Sequence, residues 1–244
     1  MSAHRTAIVT GAGKRVGAEI ARALLGHGWA VVAHVHHPDD QVPADALKVV
    51  ADLGANDAAD AIFAAAQALP PVGLLVNNAA RFAFDSIYGF STAEFDLHMA
   101  VNVRTPMQLM QRLSQRHREG DALVVNILDA KVVAPNPDYL SYTLSKQALH
   151  GATELAARAL AGKGIRVNAI APALMLQSPG QSETNFRTMH AANPLQRGVD
   201  PSDVVGAIRY LIEARTVTGQ CIVLDSGQRF LGLQRDVQFL GEQQ

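Results

Sequence analysis

A single cysteine, Cys221, excludes any intrachain disulfide. Its apolar neighbours give it the expected place of a buried strand residue with a packing role. Charge of one sign is not in excess either: 21 Lys and Arg oppose 22 Asp and Glu, a formal net charge of −1. That balance provides no general pull toward nucleic acid or an anionic membrane. No uninterrupted apolar run approaches the roughly 20 residues that span a bilayer, and the first strand is expected to begin by Thr6, with no room for an apolar leader before it. The expectation is a cytoplasmic protein with neither nucleic-acid nor membrane partners. Linkers, internal repeats and low-complexity tracts are also missing. With 244 residues, 48% of them hydrophobic, residues 1–244 read as one α/β domain with a substantial core.

What is present is an alternation of short apolar runs with longer amphipathic stretches. Strands are expected at Ala7–Thr10, Ala30–Val35, Leu47–Ala51, Gly73–Asn77, Ala122–Leu128, Arg166–Ile170 and Gln220–Leu224. Helices fill most gaps, one of them from Ala93 to Arg118. Near-continuous apolar strands such as Leu74-Leu75-Val76 suit a parallel sheet covered on both faces, hence a doubly wound fold. The segment His36–Ala46, with Pro38 and Pro43, is too broken for a crossover helix and reads as a loop or a single helical turn.

Two local patterns carry chemistry. After the first strand, Gly11-Ala12-Gly13-Lys14-Arg15-Val16-Gly17 leads into an amphipathic stretch, Val16 to Leu25. A strand, a glycine-rich turn and a helix start place backbone N–H groups where a pyrophosphate can dock, although a plain tight turn has the same composition. Further on, Tyr142 and Lys146 stand four residues apart, one helical turn, thirteen positions after Asp129. On a helix they share a face, where the ammonium favours ionisation of the phenol. YxxxK also arises by chance on exposed helices, so this pair has to be read with the rest of the chain.

Together these residues resemble the short-chain dehydrogenase/reductase family over almost the whole chain. The family pattern TGxxxGxG stands as Thr10 to Gly17, NNAG as Asn77-Asn78-Ala79-Ala80, the mid-chain asparagine as Asn102, YxxxK as Tyr142 to Lys146, and the post-strand proline segment as Val167 to Pro172. Arg15 replaces the middle glycine, and Asp129 stands where the family usually has its catalytic serine. Both departures look like the pteridine reductase branch, including the dihydromonapterin reductase type. Phe82, four residues after Asn78, matches the aromatic residue with which that branch stacks a pterin ring.

The resemblance implies a single Rossmann-type domain that binds NADP(H) and assembles as a homo-tetramer. It implies cofactor contacts from Gly11, Lys14, Arg15, Val16, Gly17, Asn78, Ala79, Tyr142, Lys146, Pro172 and Leu174, with Asp52-Leu53 beside the adenine. Asp52 also has the commonplace alternative of a helix cap. At the end of the second strand an NAD site usually offers a carboxylate, whereas this chain offers His34-Val35-His36-His37 with no acid until Asp39. His36 and His37, with Lys14 and Arg15, suggest a 2′-phosphate site. A solvated strand end is the alternative, and no convincing metal ligand set is completed.

Catalysis is expected from Asp129, Tyr142, Lys146 and Asn102. Tyr142 is placed to supply a proton, and by resemblance Lys146 bonds the nicotinamide ribose and lowers the Tyr142 pKa. Asn102 would bind a relay water, or else merely satisfy backbone groups. An ionised Asp129 accepts but does not donate, which suits a substrate with N–H groups such as a 2-amino-4-oxopteridine. Arg15, Phe82, Asp129, Tyr139 and Tyr142 are the expected substrate contacts: Arg15 as a donor near the pyrophosphate, Phe82 as a stacking face or else core, Tyr139 as an aromatic wall. The stretch 173–199, with Pro179, Gly180, Pro194 and Gly198, resembles the family's substrate loop, but its Ala173-Leu174-Met175 departs from the usual proline-glycine continuation. The functional expectation is an NADPH-dependent reductase of dihydropterin or dihydrofolate compounds. A generic carbonyl or alcohol oxidoreductase of the same family, and an inactive cofactor-binding protein, are the alternatives.

Overall fold

The computed structural model describes residues 5–178 and 180–240. Pro179, one of the residues cited for the substrate loop, lies outside them. In chain order the elements begin β1 (Thr6–Val9), α1 (Arg15–Gly26), β2 (Ala30–Val35), β3 (Leu47–Val50), α2 (Ala58–Ala65) and β4 (Val72–Asn77). They continue with α3 (Thr92–Met99), α4 (Thr105–Arg116), β5 (Ala122–Ile127), α5 (Leu140–Leu160) and β6 (Ile165–Pro172). The last are α6 (Glu183–Ala191), α7 (Pro201–Glu213) and β7 (Cys221–Leu224). The seven strands form one sheet in the order β3-β2-β1-β4-β5-β6-β7. All of its pairings are parallel.

Alternation along the strands sorts the core into two layers. Ala7, Val9, Leu74 and Val76 pack with Val16, Ile20 and Leu24 of α1 and Val204, Ile208 and Leu211 of α7. Ile8, Leu75 and Val124 point the other way, onto Ile62 and Phe63 of α2 and Leu109 and Leu113 of α4. Each of the Val, Leu, Ile and Phe side chains among them, once fully buried, contributes roughly 1.5–3 kcal/mol. The chain reverses strand order between β1 and β4, so the loops after these strands open a crevice at their carboxyl ends, the usual ligand position in this architecture.

Two expectations are corrected. The helix expected over Ala93–Arg118 is two helices joined by a π-helical turn, Ala100–Arg104. Pro106 in the first turn of α4 has no N–H to give to the Asn102 carbonyl one turn earlier, so a continuous α-helix cannot close there. Cys221 is half-buried, because it opens β7 at the sheet's edge. Its thiol is nonetheless pushed up to about 11 by burial, consistent with packing. The segment after β2 is a loop, as its prolines require. Among the described residues no helix is long and apolar enough to cross a membrane.

Candidate active site

The glycine-rich turn is held by its neighbours on every side. Gly11 adopts φ +66, and a Cβ on Gly17 would fall 2.0 Å from the Gly11 carbonyl oxygen, so the turn closes only with glycine at both places. The Thr10 hydroxyl accepts from the N–H groups of Asn78 and Ala79, each at 3.0 Å, and the Asn78 amide donates back to the Thr10 carbonyl at 2.9 Å. From the other side, His34 Nδ1 accepts the Gly11 N–H at 3.2 Å while Nε2 donates to the Ala51 carbonyl at 3.0 Å. Burial lowers the His34 pKa, which keeps the ring in the neutral form that this pair of bonds requires.

A cavity of about 610 Å³ lies over this turn, lined by Gly11, Lys14, Arg15, Val16, Gly17, His36, His37, Asp52, Leu53, Asn78 and Ala79. The first N–H groups of α1 have no helical partners and carry the positive end of its dipole. A turn that admits no side chain at Gly11 or Gly17, a helix start and a crevice over both fit a dinucleotide pyrophosphate. Two carboxylates stand at the adenosine end, Asp40 and the expected Asp52. Asp40 lines the cavity and accepts from the His37 N–H at 3.2 Å, while His36 Nδ1 lies 3.9 Å from Asp52. Asp52 caps the turn at Gly54 (2.8 Å) rather than a helix, and Leu53 is buried with its carbonyl accepting from Thr105.

A second cavity, about 510 Å³, shares Arg15, Val16, Asn78 and Ala80 with the first. It brings together Phe82, Asp129, Tyr142, Lys146, Pro172 and Leu174. The Tyr142 hydroxyl donates to Asp129 Oδ2 at 3.0 Å, and Asp129 Oδ1 accepts the Lys131 N–H at 2.9 Å. Lys146 Nζ donates to the Ile127 carbonyl at 2.7 Å and lies 5.6 Å from the Tyr142 ring centroid. Burial raises the Asp129 pKa against the pull of Lys131, Tyr142 and Lys146. It also lowers Lys146 to about 8, against the attraction of Asp129. Tyr142 is raised well above the ordinary phenol range by burial and by Asp129. The expected lowering of Tyr142 by Lys146 is therefore absent without cofactor: desolvation and a neighbouring carboxylate both favour the neutral phenol. The pair holds a proton between two oxygens at the floor of the pocket.

Other expected residues sit differently. Asn102 is buried in the π-helical turn, where its Oδ1 accepts the Arg81 N–H at 2.8 Å and its amide donates to the Arg81 carbonyl and to Ser145 Oγ. Its side chain thus satisfies the Arg81 backbone groups, and Ser145 in turn donates to the Tyr142 carbonyl at 2.6 Å. Tyr139 is 4% exposed and backs the pocket instead of walling it, because its left-handed backbone (φ 58, ψ 52) turns the ring beneath Phe82. Phe82 is stacked on it at 4.3 Å and 18°, and meets the Tyr142 ring edge-on at 4.8 Å. One face of Phe82 is thus already covered, and the ring stays 37% exposed toward the cavity. Arg15 also has positive φ, 52°, and its guanidinium donates to the Gln177 carbonyl at 3.2 Å, tying the glycine-rich turn to the stretch 173–199. Strained non-glycine backbone at both Arg15 and Tyr139 borders the site, where such strain tends to gather.

The residues that sequence reasoning misses come from far along the chain. Lys131 is buried, with Nζ bonded to Asn136 at 2.7 Å and Asp236 at 2.8 Å. Arg235 pairs with Asp138 at 2.8 Å and the Tyr139 hydroxyl donates to Gln238, bonds that hold the segment 232–237 as one wall of the second cavity. Asp85 is buried against the start of α5. Only the position of Lys131, two residues after Asp129, gives any local hint. Among the described residues no group of three or more His, Cys, Asp or Glu is placed to hold a metal ion.

A doubly wound parallel sheet, a glycine-rich turn after β1, and a Tyr-Lys pair at the carboxyl edge define an NAD(P)-dependent oxidoreductase. Residues 11–229 match the family model described as Enoyl-(Acyl carrier protein) reductase, and the chain belongs to this family, the short-chain dehydrogenases/reductases. The crystal structure of FolM alternative dihydrofolate reductase 1 from Brucella canis, complexed with NADP, matches with a TM-score of 0.89 at 38% identity, covering 94% of this chain and 96% of that one. Pteridine reductase 1 of Leishmania tarentolae is 29% identical over 91% of this chain and 95% of its own. Carbonyl reductase [NADPH] 2 of Sus scrofa is 30% identical over 91% of this chain and 95% of its own. The first two of these likenesses support a place in the pteridine reductase-like branch.

Proposed function

We propose that this chain is an NADPH-dependent reductase of dihydropterin-type substrates, acting on a C=N bond of a flat 2-amino-4-oxo heterocycle. The observation that carries the reading is the Tyr142 hydroxyl bonded to Asp129 at 3.0 Å, a carboxyl at the position of the family's serine. The cofactor, when bound, supplies a hydride. Tyr142 would give its proton to the ring nitrogen beside the carbon that is reduced, and the Asp129 carboxylate, hydrogen-bonded to the phenol and with its pKa raised by burial, would take up a proton from solvent and pass it to the phenolate. As a carboxylate Asp129 accepts from substrate N–H groups, which a serine hydroxyl serves less well. Phe82 supplies the stacking surface. Lys146 gives one N–H to Ile127 and would have its others free for the nicotinamide ribose. His36, His37, Lys14 and Arg15 outnumber Asp40 and Asp52 around the adenosine end and favour a 2′-phosphate. The stretch 173–199, which contributes Leu174 and is tied to Arg15, acts as the substrate loop.

The NADP-bound FolM structure and the Leishmania pteridine reductase support this reading. The pig carbonyl reductase supports a second one, reduction of simple carbonyls. NADPH oxidation followed against dihydropterins, dihydrofolate and small aryl ketones separates the two. The proposal expects kcat/KM for a dihydropterin to exceed that for any ketone by at least about tenfold, a discrimination of the size set by pairing of buried polar groups.

A further inference from the structure

Helix α5 carries Tyr142 and Lys146, yet its own N-cap residue, Tyr139, offers no side-chain cap. The cap comes from another part of the chain. Asp85 Oδ1 accepts the Ser141 N–H at 2.9 Å, its Oδ2 accepts the Ser141 hydroxyl, and its main-chain carbonyl accepts the Leu140 N–H at 3.3 Å. Two of the orphan donors at the head of α5, and the positive end of its dipole, are thus met by a residue 56 positions earlier. Asp85 is 5% exposed and Ser141 is fully buried, so water does not substitute for either partner.

The loop that carries Asp85 also carries Phe82, three residues before it, and Ser141 directly precedes Tyr142. The clamp therefore fastens the segment bearing the stacking ring to the helix bearing the proton donor, three residues from Phe82 and one from Tyr142. The rings register the result: Phe82 lies flat on Tyr139 at 4.3 Å and edge-on to Tyr142 at 4.8 Å. We infer that Asp85 is a positioning residue, which sets the Phe82 ring against the Tyr142 hydroxyl and so aligns a stacked substrate with its proton donor. It lines neither cavity. The inference rests on the proposed reaction for the identity of the substrate, and on geometry alone for the coupling of Asp85 to Phe82 and Tyr142.

The test is a double-mutant cycle in the full-length enzyme on Asp85→Ala and Phe82→Leu, with Asp85→Asn as the conservative variant and NADPH titration as the check on the fold. Asp85→Ala should lower kcat/KM for a dihydropterin by about tenfold or more, as small misplacements of a reacting pair do, with NADPH affinity within about twofold of wild type. Asp85→Asn should recover most of the loss, because its amide oxygen still accepts the Ser141 N–H and its amide nitrogen can donate to the Ser141 hydroxyl. In the Phe82→Leu background, Asp85→Ala should cost less than about twofold, the signature of two residues acting through one geometry. Additive losses in the cycle, unchanged activity of Asp85→Ala, or a loss of NADPH binding equal to the loss of turnover would overturn the inference. Should Asp85→Ala fail to fold, Ser141→Ala removes the hydroxyl leg alone and carries the same cycle. The cycle is measured with whichever substrate the wild-type enzyme turns over best. Absence of dihydropterin turnover would then defeat the substrate reading, while the coupling term still decides the role of Asp85.

Discussion

The Tyr142 hydroxyl donates to Asp129 at 3.0 Å, and burial raises the pKa of both groups. A phenol held neutral by burial and a carboxyl raised by burial share one proton line at the floor of the pocket. Removing the phenol oxygen breaks that line at the end facing the substrate. Tyr142→Phe is expected to reduce turnover by about a hundredfold or more, within the range for lost general acid catalysis, while NADPH affinity changes little. Stopped-flow turnover paired with cofactor titration checks this. Near wild-type turnover would contradict the assigned role.

Lys146 provides a pH test that needs no substrate. Its pKa is lowered to about 8 in the fold, from 10.5 in the unfolded chain. Between those values the unfolded state holds a proton that the folded state has lost, so stability rises with pH across this window. Below about pH 8 both states are protonated and the penalty is constant. Cofactor-free protein should therefore gain stability toward urea between pH 8 and 10 relative to Lys146→Met, which has nothing to titrate there. Parallel stability curves for the two proteins would show that Lys146 is not held in a desolvated site.

The adenosine end of the first cavity predicts cofactor choice. His36, His37, Lys14 and Arg15 provide donors and positive charge there, against Asp40 and Asp52. NADPH should bind at least tenfold more tightly than NADH, a difference of about 1.4 kcal/mol, and His36→Ala with His37→Ala should narrow the gap. Equal affinity measured by direct titration, or a preference for NADH, would remove the basis of this assignment.

The parts of this molecule that are visible in its sequence are those written in local pattern. Leu74-Leu75-Val76 announces a doubly covered parallel strand, and the strand-turn-helix from Thr6 onward announces the dinucleotide crevice, because strand burial and turn chemistry depend on neighbours a few residues away. Asp129, Tyr142 and Lys146 are legible through spacing, and the fold brings all three to one cavity. The ionisation state of Tyr142 is not legible. The pair spacing speaks for the Lys146 charge, whereas desolvation and the Asp129 carboxylate, which set the direction, emerge only on folding. Tyr139 shows the same limit. Its ring turns behind Phe82 because residue 139 takes a left-handed backbone conformation, for which tyrosine has no sequence signal. Asp85, Lys131 and Asp236 act across 56, 105 and 98 residues on Ser141, Asp236 and Asp138, separations at which no periodicity operates.

The central claim is that Asp129 commits the pocket to a substrate with ring nitrogen and N–H groups. Asp129→Ser, with NADPH still bound, restores the hydroxyl that serves a carbonyl oxygen and removes the carboxyl that accepts from the heterocycle. The measurement is the ratio of kcat/KM for dihydrobiopterin to that for a small aryl ketone, in wild type and in Asp129→Ser. The account predicts that the ratio falls by at least about a hundredfold, with dihydropterin reduction mostly lost and ketone reduction held or raised, a change of the size that follows when buried polar groups lose their partners. A ratio unmoved by the substitution, or a wild-type enzyme that reduces ketones well and pterins not at all, would contradict it.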